Sequence, residues 1–324
     1  MVIATGISAQ VGAKAESVYG TPVTVDRFWE FVSEGIKHDI FKVTGKQIGA
    51  GRFLRNDRVK TVLRGAGGPV DFIVLNKGFG LLMEHAIGQN TISGAGANKT
   101  HTIIPDALAL QGKSLTFQVG RPDIGGTVRP FTYEGGKVTE WEFKCAVDQP
   151  LHFIPTFDFE NVLTATALAS ASYPATQEMF IFSEGALTIG GITTFVKEAS
   201  IKGNNGLVTD RRGFTNTKKE PLARGLEDYL TGNLVCEFED LTAYAAWLAG
   251  TQAQLVLTFT LATVIPTTAV PFSLTITIPA IEYTGETPNV QDEGIVMMPR
   301  PFRGLYNGSN PIITVAYVTS DTVS

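Results

Sequence analysis

The sequence predicts a mainly β protein in which one fold is written twice, each copy carrying a short flanking α-helix and a long loop. Three observations predict it. Apolar and polar residues alternate with a period of two, as at Leu115, Phe117 and Val119 and again at Trp141, Phe143 and Cys145. Threonine, glycine, valine, isoleucine and phenylalanine are prominent, which favours strands and turns. The stretch 65–88, GAGGPVDFIVLNKGFGLLMEHAIG, has an echo at 225–250, GLEDYLTGNLVCEFEDLTAYAAWLAG, with its parts in the same order.

Taken in order, residues 1–27 read as an irregular arm of small and turn residues. Residues 28–41 alternate loosely and predict a first strand, and 42–69 read as a long connection. A strand follows at 70–75, then a helix at 79–87 whose face is Phe79, Leu82, Met83, Ala86 and Ile87. Gly88 suits its C-terminal cap. Residues 89–101 read as a polar turn region, and 102–160 as strands, with RPDIGG and YEGGK as turns. The small, polar segment 163–178 is the expected linker between a first domain, 1–162, and a second, 179–324.

The second domain repeats the first at four anchors. FVKEASIK at 195–202 echoes FVSEGIK at 31–37, Asp210-Arg211 echoes Asp57-Arg58, Arg224-Gly225 echoes Arg64-Gly65, and a helix ends on Gly250 as another ends on Gly88. In that second helix Asp240 suits the N-cap, and Leu241, Tyr244, Ala245 and Leu248 form the expected buried face. Residues 255–281 are apolar but alternate with threonine and contain Pro266, Pro271 and Pro279, which predicts strands and turns rather than a membrane helix. The N-terminus lacks the basic and apolar regions of a signal peptide.

Charge is distributed unevenly. The loops 42–69 and 202–225 hold 13 of the 26 basic residues and 3 of the 31 acids, in a chain of net charge −5. The loops are therefore +10 and the rest of the chain −15. Solvated loops, nucleic-acid binding and self-association all compete as explanations. An acidic body repels phosphate, and only Phe53 and Phe214 supply aromatics to the loops, so self-association is preferred.

The residue patterns predict neither enzyme nor cofactor site. His38, His85, His101 and His152 lack metal-ligand spacing, and Cys145 and Cys236 read as small buried apolar residues. The glycines at 65–68 complete neither a phosphate loop nor a dinucleotide fingerprint. The pairs Glu140/Glu142 and Glu237/Glu239 invite a glycosidase reading, but a solvated strand face explains them more simply.

The chain resembles the tail tube (major tail) proteins of long, flexible-tailed bacteriophages, especially those of actinobacterial hosts. The likeness lies in GISAQVGAKAESVYGTP (6–22), GKSLTFQVGRPD (112–123), FTYEGGKVTEWEFKC (131–145), KKEPL (218–222), DLTAYAAWLAGTQAQLVLTF (240–259) and ITIPAIEYTGETPNV (276–290). The resemblance implies two tandem tail-tube-type β-sandwich/barrel units. They would join edge to edge into a ring of three chains with pseudo-sixfold symmetry, or six chains as the alternative. It further implies rings stacked into a tube, a tape-measure protein, tail tip and tail terminator proteins as partners, and non-specific passage of double-stranded DNA. The location implied is the virion tail, assembled in the host cytoplasm without a membrane.

On this reading Arg52, Arg55, Arg58, Lys60 and Arg64, with Arg211, Arg212, Lys218 and Lys219, form arms that contact the next ring. Glu140, Glu142, Glu237 and Glu239 are the candidate channel-facing residues, with Trp141, Phe143, Cys236 and Phe238 packing the other way against the helices. The alternatives are a ring protein of a contractile injection or secretion device, or a carbohydrate-binding module with an exposed aromatic platform. Trp29, Trp141 and Trp247 lie in apolar patterns, which speaks against the latter.

Overall fold

A computed structural model describes residues 5–45, 47–48, 51, 53–107, 110–225, 228–285, 287–290 and 293–323. The first half contains β1 (Gln10–Ala15), β2 (Arg27–Trp29), β3 (Ser33–Glu34), β4 (Lys37–Thr44), β5 (Val59–Ile73), α1 (Gly80–Ile87), β6 (Gly88–Ser93), β7 (Lys99–Pro105), β8 (Leu115–Pro122), β9 (Val128–Ala146), β10 (His152–Phe159) and β11 (Asn161–Leu163). The second half contains β12 (Gly185–Ile189), β13 (Ile192–Thr193), β14 (Glu198–Asn204), β15 (Leu207–Val208), β16 (Leu222–Ala223), β17 (Leu230–Glu237), α2 (Thr242–Ala249), β18 (Ala253–Val264), β19 (Pro271–Tyr283), β20 (Met297–Gly304) and β21 (Thr314–Thr319). The protein is mainly β, and nineteen of these strands join one hydrogen-bonded sheet system that does not close into a barrel within the chain.

The pairing pattern recurs. In the first half the lateral order is β4-β5-β10-β9, all antiparallel. In the second it is β14-β17-β20-β19. The long strands β9 and β19 each bend from one sheet to another. β9 pairs with β8 and β11 along its first half, and β19 with β18 and β21. The two halves meet by backbone pairing, β9 with β14 over seven residue pairs and β7 with β21 over five.

The alternation at Trp141, Phe143 and Cys145 is the in–out pattern of the sheet, whereas in β8 the polar alternates Thr116 and Gln118 are buried as well. Trp141 and Phe143 of β9 are buried, as are Phe153 and Phe157 of β10, and Phe143 meets Phe153 with ring centroids 4.7 Å apart. Helix α1 covers this side: Phe79, Leu82, Met83, Ala86 and Ile87 are all buried, and the helix packs on β9. Each methylene so buried contributes roughly 0.8 kcal/mol, so this patch is a main source of stability.

Several expectations are corrected. Residues 42–69 are not a structureless connection: β4 and β5 form a long hairpin, and every residue of β4 is exposed. A strand wet on both faces shows no apolar alternation, so its sequence reads as loop. The polar segment 89–101 likewise contains β6 and the start of β7. YEGGK is not a turn but the middle of β9, where Gly135 (φ +64°) lets the strand bend. In α2 only Ala243 is fully buried, while Leu241 and Leu248 are exposed. Asp240 lies one residue before the N-cap position and still accepts the Thr242 backbone N–H at 2.7 Å.

Segment 163–178 lies along the first half. Gln118 binds the backbone of Ala167 and Ala169, Gln10 that of Ala169, and Lys77 that of Ala175. The C-terminus is held similarly. The Nδ1 of buried His101 accepts from Asn90, leaving its Nε2 to donate to the Asp321 carbonyl at 3.0 Å. Burial of His85 lowers its pKa to about 4, outweighing the pull of Glu84, so it stays neutral.

Where β9 and β14 meet, Gly203 faces the Trp141 indole, and a Cβ there would sit 2.2 Å from the ring. The ring is buried among Phe143 and its neighbours and cannot yield cheaply. Gly203→Ala is therefore expected to destabilise the chain by about 1–3 kcal/mol. A urea unfolding midpoint equal to that of the wild type would reject this account of the junction.

Candidate assembly interface

Four features could make contact with other molecules: the β4–β5 hairpin, the 205–225 arm, the polar face of the sheet, and an apolar groove between the halves.

The hairpin leaves the body where β10 ends. Phe159 pairs with Ala66, and residues of β5 before that point pair only with β4. Gly65 (φ +105°) and Gly68 (φ +153°) make this exit possible. A Cβ would lie 2.3 Å from the Phe159 carbonyl oxygen at the first and 2.2 Å from that of Gly35 at the second. On the hairpin, Arg55 and Arg58 flank Asp57 at 2.9 and 3.6 Å, and the Arg64 guanidinium lies 4.3 Å from the Phe41 ring centroid. Lys60 is exposed, and Arg52 lies outside the described residues.

The 205–225 arm is built differently. Lys218, expected to reach a neighbouring ring, is buried in its own chain: its Nζ is 2.6 Å from Asp158 Oδ2 and donates to the Phe159 carbonyl at 3.0 Å. Lys137 of β9, also buried, holds Glu220 at 2.7 Å, and Glu220 accepts the Gly112 N–H at 2.9 Å. Arg211 donates to the Glu220 carbonyl, and Asn216 donates to the Leu63 carbonyl at the base of the hairpin. Lys219 is exposed and Arg212 half-buried. The arm thus folds back as a bracket against the first half.

The electrostatics of this bracket are costly. Burial raises the pKa of Asp158 and lowers that of Lys218, in each case outweighing the attraction of the partner. Lys137 is likewise pushed down by burial against the pull of Glu220. Glu220 is less buried, so the Lys137 and Gly112 contacts overcome burial and hold its carboxyl below the usual range.

The polar face runs across both halves. Glu140 and Glu142 stand opposite Asn204 and Lys202 of β14, and Thr231 of β17 and Arg303 of β20 continue the row. Glu140 accepts from Asn204 at 3.0 Å and Glu142 from Ser200 at 2.7 Å. The face is not a uniform acidic wall. Lys144 pairs with Glu198, Lys202 with Glu142, Arg303 with Glu282, and, at its end, Lys197 with Glu237. Trp141, Phe143 and Cys236 are buried on the opposite side, with Phe238 half-buried. Glu239 lies beyond the end of β17, exposed on the wall of the groove.

That groove is a cavity of about 660 Å³ between the end of β9, the β12–β13 hairpin and the start of β14. Its apolar lining includes Val147, Phe182, Phe195 and Leu257. Phe195 is 59% exposed.

A family model described as phage tail tube protein matches residues 6–304. The chain belongs to the phage tail tube protein family. No curated protein matches it. Family membership makes the chain a structural component of the virion tail, the role of a tail tube protein. No described helix is long and apolar enough to cross a membrane.

For this tail tube protein, sequence reasoning missed Lys137, Asp158 and Glu220. They come from three distant stretches, and only the lysine within GGKV, between buried neighbours, hinted at burial. Breaking a buried ion pair strands one charge. Lys218→Met alone should therefore cost about 3 kcal/mol or more, and adding Asp158→Asn should recover part of it; additive losses in urea unfolding would reject the bracket. The Glu220 contact stabilises the fold above the unfolded carboxylate pKa and fades as pH falls through the lowered folded value. The stability gap between wild type and Glu220→Gln should therefore narrow from neutral pH towards acid; a constant gap would count against it.

Proposed function

We propose that this chain is an internally duplicated tube subunit, three copies of which close a ring of six β units that stacks into the channel for double-stranded DNA. The observation that carries the proposal is the β9–β14 pairing, a unit-to-unit junction already present inside one chain. The outer edges repeat its two halves. β9 is bordered by β8 as far as Gly136 and by β14 from Glu140. β19 is bordered by β18 as far as Ile281, and among the described residues no strand borders it beyond that point on the same side. At the opposite edge β3 and β4 occupy the position of β14 but pair only with β5. An edge that ends where another begins is a template for strand addition, and closing the ring leaves neither exposed.

In that ring the polar face of β9, β14, β17 and β20 lines the channel, with Glu140, Glu142 and Glu237 on it. Its lysines are paired with carboxylates, so passing phosphates meet few cations free to hold them. The tape-measure, tip and terminator proteins expected from the family would meet this channel and the tube ends. The basic hairpin, with Arg55, Arg58, Lys60 and Arg64, reaches the adjacent ring, accompanied by exposed Lys219.

Native mass spectrometry of purified rings should give three chains of 34.8 kDa, and end-on electron micrographs should show pseudo-sixfold symmetry. A ring of six chains would overturn the intrachain-duplication reading. A monomer that forms no tubes, even with tail-initiation partners present, would overturn the ring itself.

A further inference from the structure

We propose that Lys218 and Asp158 join in an isopeptide bond, a covalent amide that fastens the 205–225 arm of the second half to β10 of the first. The reacting groups already touch. Lys218 Nζ lies 2.6 Å from Asp158 Oδ2, an oxygen one bond away from the carbon that the amine would attack. Nζ also donates to the Phe159 carbonyl at 3.0 Å, and the lysine side chain is only 2% exposed, so the amine has little freedom to leave. Asp158 is fixed from both sides, its backbone lying opposite Gly67 of β5 and Lys137 of β9.

Amide formation needs an amine with a free electron pair and a carboxyl group that carries a proton. Lysine and aspartate in water at neutral pH are the reverse. Here burial lowers the pKa of Lys218 and raises that of Asp158, so both groups move towards the reactive, neutral forms. Arg212 and Asp39 are further charges acting on Asp158, and Arg212 and Glu160 on Lys218. In the reaction Nζ attacks the carboxyl carbon. The C–N bond forms, a C–O bond breaks, and a hydrogen from nitrogen leaves with the hydroxyl as water. Oxidation states do not change. Glu160, two residues along from Asp158 and within electrostatic reach of Lys218, carries the proton from nitrogen to the leaving oxygen. Burial and the nearby Glu134 raise its pKa, which suits a carboxyl that takes up and returns a proton. The water has an exit, because Asp158 lines a cavity of about 390 Å³ together with Lys37, His38, Arg64 and Gly67.

The neighbouring pair marks the difference. Lys137 is buried as deeply, but its partner Glu220 also accepts the Gly112 N–H, and these contacts keep that carboxyl ionised and unreactive towards an amine. Lys14, Lys113, Lys144, Lys197 and Lys202 also pair with carboxylates, but their side chains reach solvent, without the burial that the reaction requires. The bond closes a covalent loop between positions sixty residues apart, and it joins the two halves independently of the linker 163–178.

The test is mass spectrometry of the purified full-length chain under denaturing, reducing conditions. The expected intact mass is one water molecule below that of the sequence. Trypsin should then yield a branched peptide joining segments 145–197 and 213–219, because an acylated Lys218 is no longer cut. Lys218→Met and Asp158→Ala should each restore the full mass. A wild-type chain at full mass that releases peptide 213–218 unmodified overturns the proposal and leaves the buried ion pair and the tube reading standing. Loss of water without the branched peptide overturns it as well. The wild-type result decides the bond even if neither variant folds. Glu160→Gln should leave most of the chain uncoupled, and complete coupling in that variant overturns the role of Glu160.

Discussion

The antiparallel pairing of β9 with β14 is the contact on which the arrangement of this tail tube protein depends. Seven residue pairs of backbone hydrogen bonding merge the two halves into one sheet system with a common polar face and a common apolar face. The apolar side can then be one continuous core, with Trp141 packed where a glycine of the other half makes room. The same pairing leaves the outer edges of the pattern open, and an open edge is a template for strand addition. In the proposed ring, packing inside the chain and assembly between chains draw on one geometry.

The halves repeat their strand order but not their use of the long loop. In the first half the loop is a hairpin wet on both faces, directed away from the body by Gly65 and Gly68. In the second it is folded back, with two lysines buried to hold it. A buried ion pair is an expensive fastening, but its directional hydrogen bonds set one position for the arm. Because Asn216 also touches the base of the hairpin, the retained arm braces the projecting one. The two loops therefore differ in use, one projecting from the body and the other held against it.

Much of the first half was legible because its signals are local. Helix α1 shows an apolar face and a terminal glycine, and β10 and the second half of β9 alternate because one face is buried, while β8 alternates in sequence with both faces covered, Thr116 and Gln118 being buried too. Where both faces are wet, as in β4, the alternation disappears, and where the covered face is itself largely polar, as in β6 with Asn90 on its half-buried side, strand likewise reads as loop. Helix α2 failed in the opposite sense. Its leucines have helical spacing, yet the helix lies on β19 with little above it, and Leu241 and Leu248 stay exposed.

The sequence by itself determined the β class, the recurrence of anchors such as Asp57-Arg58 and Asp210-Arg211, the basic character of both loops and the absence of a metal-ligand spacing, because each of these is a local property of composition or period. Only the tertiary structure decided which basic residues remain available. Lys218 and Arg58 look alike in the chain, but one is buried beside Asp158 and the other exposed beside Asp57. That difference arises from contacts between stretches some sixty residues apart, and neither period nor composition carries information over that distance.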